Sequence, residues 1–169
     1  MYYRALQQMV RTLRNLAIIL DKAERHAVSK KFDSGNYLSQ RLAPDMFPLL
    51  RQVQVSCDIA KGAAALLGNR ENPRHEDNER TIAELKQRIN VTVAFLESVK
   101  ENDTKQITDT TVLPLSYPKG KAMKAPEMVF MRTLPNFFFH VTTAYNLLRQ
   151  GGVEIGKGDY LGELPLQEA

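Results

Sequence analysis

The chain has 169 residues, enough for one domain that buries roughly 70% of its unfolded surface without help from a metal or disulfide. A single cysteine, Cys57, excludes a disulfide framework and fits a reducing compartment. The net charge is +4, but basic residues form no dense stripe: residues 1–61 hold ten basic and five acidic side chains, 62–103 six and eight, 104–169 seven and six. That spread excludes the usual nucleic-acid footprint, so no nucleic-acid partner is expected.

The first helix is expected from about Tyr2 to about Ser29. Leu6, Met9, Val10, Leu13, Leu16, Ala17, Leu20 and Ala27 recur at spacings of three and four, the signature of one buried helical face. Lys30 and Lys31 suit the negative end of its dipole. Asp33-Ser34-Gly35-Asn36 then reads as a turn.

The second helix is expected to begin near Asp45, as its N-cap, because Pro48 is tolerated only in a first turn. Met46, Leu49, Val53, Cys57, Ala60, Ala64 and Leu67 make its inner face, and Gly68-Asn69 stops it. Glu76, Asp77 and Glu79 are read as the acidic first turn of a third helix that ends near Asn102. Its stripe is Ile82, Leu85, Ile89, Leu96 and Val99.

Residues 104–124 change character. Thr110, Val112 and Leu113 favour a strand and Tyr117-Pro118-Lys119-Gly120 a turn, so a β-hairpin is expected before the last helix. Pro126 opens that helix and Gly151-Gly152 closes it, with Pro135 kinking it or marking its true start. Phe137, Phe138, Val141, Ala144, Tyr145 and Leu148 face inward. The tail carries Val153, Ile155, Tyr160 and Leu161 to pack back on the bundle. The fold class is therefore all-α: a single-domain antiparallel up-down four-helix bundle over residues 1–169 with a small β-hairpin between helices three and four.

The longest uncharged run, Thr133 to Leu148, is too short for the roughly 20 residues that span a bilayer. No signal core precedes Arg4. A cytoplasmic protein with no membrane partner is expected.

Several motifs look chemical and are not. The run Gly151 to Gly158 nearly matches a phosphate-binding loop, but Gly158 stands where Ser or Thr must reach magnesium, a helix precedes it and none is expected after it. His75-Glu76-Asp77-Asn78-Glu79 starts like a zinc-protease helix, but Glu79 replaces the second histidine. Histidines occur only at 26, 75 and 140, on separate elements. His26 lies roughly 160° from the centre of its helix's apolar stripe, at the surface or a subunit interface. With Val55 and Ile19 it would suit a dimer face. His140 lies roughly 100° from its stripe, a core histidine satisfied by hydrogen bonding or one that lines a pocket. Asp45 is most simply a cap, or points into the open bundle end near Arg41. Asp58 and Lys61 read as a surface ion pair, and Lys119, Lys121 and Lys124 as a solvated hairpin tip.

Three blocks resemble a family. They are Arg41-Leu42-Ala43-Pro44-Asp45-Met46-Phe47-Pro48 with Arg51-Gln52-Val53-Gln54, the run Pro135 to Tyr145, and Gly152 to Lys157 with Asp159-Tyr160-Leu161-Gly162. Together they resemble a bacterial family of unknown function related to the DinB/YfiT-like helical bundles. The resemblance implies a four-helix bundle, often a homodimer. The wider group contains proposed metalloenzymes and thiol-dependent transferases, whose nickel or zinc is held by one histidine of the second helix and two, four apart, on the last. Carried over, only His140 is present: Ala144 and Asn136 occupy the positions four away, and the second helix has no histidine.

Three functions follow as expectations. The first is a bundle without the three-histidine site that binds a small molecule or partner in a cleft bordered by His140, Asp45, Arg41 and Tyr145. The second is a metal- or thiol-dependent transferase in which His140 binds a divalent metal, zinc or nickel, and Asp45 serves as ligand or base. The third is a structural role through a homodimer.

Overall fold

In a computed structural model that describes residues 1–168, four long helices close on one interior. They are α1 (Tyr2–Lys30), α2 (Leu49–Leu67), α3 (Ile82–Ser98) and α4 (Leu134–Gln150). Two three-residue strands, β1 (Val112–Pro114) and β2 (Ala122–Lys124), pair antiparallel with Leu113 opposite Met123, between α3 and α4 as expected. A short α5 (Lys157–Leu161) follows the last long helix. Leu6, Leu13, Leu20, Val53, Ala64, Leu85, Ile89, Phe137, Ala144 and Leu148 all lie in the shared core.

The helix ends are set by local chemistry. Lys31 takes a left-handed conformation at φ 59° and closes α1. The start of α2 differs from the expected Asp45 cap: Pro48 is the extended residue before the first turn. The first N–H groups, of Leu49 and Leu50, donate to the carbonyls of Gln40 and Leu38, so no side-chain cap is needed. The start of α3 also lies later than its acids suggested. Thr81 caps it, with Glu84 returning the bond in a capping box, and Glu76, Asp77 and Glu79 precede the helix.

Helical backbone already begins at Ala125. Over Glu127–Thr133 the turns widen to π-helix, and Pro135 explains this. Its ring has no N–H for the carbonyl four residues earlier and would crowd it, whereas a wider turn passes that bond to the next residue. A regular helix resumes at Leu134.

Side-chain pairs fix the directions. Arg14 meets Glu97 and Lys86 meets Asp21 and Glu24, so α1 and α3 are antiparallel neighbours. Asp58 meets Arg88 and Gly68 abuts Val99, so α2 and α3 run the same way. The chain thus goes up, down, down and up. Two parallel consecutive helices require a return connection along the bundle, and residues 69–81 supply it. This segment runs back over the outer face of α2: Lys61 Nζ donates to the Pro73 carbonyl, Gln54 to Glu79, and Arg51 pairs with Asp77.

Packing changes two surface readings. Lys61 lies 3.7 Å from Asp58, so the expected pair forms, but with its cation buried, and Asp58 also reaches Arg88 at 2.9 Å. The expected dimer face does not exist as drawn either. Ile19 is buried at 1% exposure, and His26 Nδ1 lies 2.6 Å from the Tyr37 hydroxyl. That pairing brings the Ser34–Tyr37 turn onto the end of α4, where a Cβ on Gly151 would fall 2.7 Å from the Tyr37 ring.

The tail packs back as its apolar residues required: Val153 and Ile155 are buried, and α5 lies along α1. Asn15 and Arg11 donate to the carbonyls of Tyr160 and Leu161, and Lys22 pairs with Asp159 at 2.5 Å. A helix of five residues does follow the glycine-rich run, contrary to expectation, but no strand leads into it. No helix among the described residues is long and apolar enough to cross a membrane.

Candidate functional site

His140 projects from α4 toward the first turn of α2 and is 8% exposed. Its Nδ1 lies 2.7 Å from Gln52 Oε1. Gln52 Nε2 in turn donates to the Phe47 carbonyl at 3.0 Å, which leaves Oε1 as the acceptor. The network therefore puts a proton on His140 Nδ1 and the lone pair on Nε2. Phe47 stacks over the imidazole at 6.5 Å and 22°, and Phe139 meets it edge-on at 5.2 Å. Burial lowers the pKa of the ring, and the nearby Arg51 guanidinium lowers it further, so the ring is neutral at pH 7.

His140 makes no hydrogen bond with the other expected site residues, Asp45, Arg41 and Tyr145. Asp45 is exposed in the turn before α2. Arg41 closes that turn by donating to the Met46 carbonyl at 2.5 Å. Tyr145, five residues after His140 and roughly 140° around the helix, packs edge-on against Tyr160 at 5.9 Å. Cys57 is sealed in the core, and burial pushes its thiol up to about 12, so it supplies no thiolate.

The structure adds two features that sequence reading missed. The first is an ion network beneath the return segment. Arg88, whose side chain is 3% exposed, reaches Glu79 at 2.8 Å, Asp58 at 2.9 Å and Asp77 at 3.0 Å. Burial alone would raise the pKa of Glu79, but hydrogen bonds from Arg88 and Gln54 outweigh it and hold the carboxyl below its ordinary range. The arginine falls between Leu85 and Ile89 on the inner stripe of α3, and that misplaced charge was its only signal.

The second feature is a cleft of about 820 Å³ beside the seam of α2 and α4, closed by the return segment and the hairpin. Asn136, one turn before His140, lies in its wall with Ile59 and Gly62 of α2. Lys61, Arg70, Arg74, His75 and Arg132 are its basic lining, and Asp58 its one carboxylate. A smaller cleft of about 690 Å³ lies between α1, α3 and the tail. Its cations are already engaged: Arg11 with the carbonyls of Leu161 and Glu163, and Arg14 with Glu97.

The donors do not fit a three-histidine metal site. His140 gives one nitrogen to Gln52, and its neighbours a turn away on the same helix are Asn136 and Ala144. Among the described residues no three His, Cys, Asp or Glu side chains come together as ligands. A glutamine amide stands opposite His140 and forms a hydrogen-bonded pair there.

The helix order, the hairpin insert and the α2–α4 seam define the class as a DinB-like helical bundle. A solved DinB family member from Shewanella denitrificans superposes with a TM-score of 0.92 at 41% identity, over 99% of this chain and 95% of that one. Residues 1–161 match the model of the domain of unknown function DUF1993, and the chain belongs to that family. No protein of curated function matches it.

Proposed function

We propose that this protein binds a small organic molecule in the cleft beside the α2–α4 seam. The observation that carries this reading is the cleft itself. Its volume of about 820 Å³ lies within the roughly 300–1,000 Å³ typical of ligand sites. Its wall mixes apolar side chains (Ile59, Leu66, Met128) with the amide of Asn136. The neutral His140–Gln52 pair sits one turn further along the same seam, where it orders the start of α2 against α4.

A thermal-shift screen of small organic molecules tests the reading, with Asn136→Trp as the variant that fills the cleft. Asn136 is exposed, so the substitution leaves the core intact. Ligands should raise the melting temperature of the native chain and lose that effect in Asn136→Trp. Stabilisation that survives the variant would place the ligand elsewhere. Stoichiometric zinc or nickel in protein purified without chelators would favour metal chemistry instead.

A further inference from the structure

We infer that the cleft takes an organic anion, a carboxylate or phosphate ester on a short apolar body. This deepens the small-molecule reading above and rests on it. Four cations and one carboxylate line the cleft, and the carboxylate, Asp58, is already turned to Arg88. Two of the cations are engaged within the fold: Lys61 with the Pro73 carbonyl, and Arg70 with Ser98 and Asp103.

The other two keep more of their N–H groups free. Arg74 makes no ion pair or side-chain hydrogen bond among the described residues, and Arg132 makes only one, to the Tyr117 carbonyl at 3.2 Å. They come from different elements, Arg74 from the return segment and Arg132 from the π-helical turns ahead of α4. His75 follows Arg74 in the return segment and also lines the cleft. Two guanidinium groups suit a multi-oxygen headgroup, since arginine binds carboxylate and phosphate with paired N–H groups. Ile59, Leu66, Met128 and Pro114 leave an apolar stretch for the remainder of the molecule.

The test is titration calorimetry with four probes that share one tail: octyl phosphate, octanoate, octanol and octyltrimethylammonium, each below its micelle threshold. One or both anions should bind at least about tenfold more tightly than octanol, and the ammonium probe should not bind. The preference between the two anions separates phosphate from carboxylate. Arg74→Ala and Arg132→Ala should each weaken the anions by about tenfold and leave octanol unchanged. Both residues lie outside the core, and circular dichroism checks that the variants stay helical.

If octanol binds as well as the anions and Asn136→Trp abolishes both, the cleft binds ligands but the anion inference fails. Anion binding that ignores both arginine variants overturns it too. If no probe's binding responds to Asn136→Trp, the small-molecule reading and the inference fall together.

Discussion

The α1–α3 seam and the covered face of α2 both use charged side chains to join elements, but they hold those charges in different surroundings. On the α1–α3 seam, Arg14 and Glu97 keep 58% and 46% of their side-chain surface in solvent. Under the return segment, Arg88 keeps 3% and Glu79 9%. Water weakens the first kind of pair, so its loss changes little. A buried arginine that loses its place leaves carboxylates desolvated without a partner. The face of α2 that looks polar from its sequence is thus an internal joint, and the comparable face of α1 is a true surface.

Substituting the two arginines should expose that difference most strongly. Arg88→Leu should cost about 3 kcal/mol in urea unfolding, because Glu79 is left buried and unpaired. Arg14→Ala should stay within about 0.5 kcal/mol. Equal costs would mean that the covered face is as wet as the seam.

Gln52→Ala should have the next largest effect, about 2 kcal/mol, because it strips the partner from His140 Nδ1 inside the bundle. The ring should then take up protons differently, which an NMR titration of His140 would read. An unchanged titration would show that the pair does not set the histidine's state.

The smallest effect is in pH dependence, and here the two regions should respond in opposite directions. The folded-state pKa values of Asp77 and Glu79 lie below their ordinary 3.8 and 4.5, with the bonds from Arg51 and Arg88 outweighing the effect of burial. Their stabilisation is therefore present above the unfolded values and is lost as pH falls through the lower folded ones. His140, lowered from 6.5 by burial, adds a loss in the same direction that begins as pH drops below 6.5. Lys86 is raised above 10.5 by its bonds to Asp21 and Glu24. Its contribution is full below the unfolded value and is lost as pH rises through the folded one. Hydrogen exchange should thus show acid loosening the return segment first and alkali loosening the α1–α3 seam. Both regions loosening together at either extreme would refute the division.

The four helices and the hairpin were legible because their signals are local. Spacings of three and four lined up Leu6, Leu13 and Leu20 in α1, and Phe137, Ala144 and Leu148 in α4, and both sets are core. His140 as a histidine satisfied by hydrogen bonding was legible in the same way, from its angle at the border of the stripe. Its partner could have been found: Gln52 lies three residues after Leu49, on the inward side of α2, where an amide needs an explanation. The contacts of Asp45, Arg41 and Tyr145 could not be read from spacing, because they depend on where the turn before α2 and the tail come to rest.

The sequence by itself determined which stretches are helical, which face of each is apolar, and that its three histidines sit on separate elements. Periodicity, capping residues and residue identity act within a few positions, so they can be read along the chain. Only the tertiary structure decided that α2 and α3 run parallel, and hence that residues 69–81 must return over α2. That path buries Arg88 and Lys61, and it puts Arg74 and His75 into the lining of the same cleft as Arg132. A helix's apolar stripe is the same whichever way the helix points, and for that reason the direction, and the site it creates, is written only in the packing.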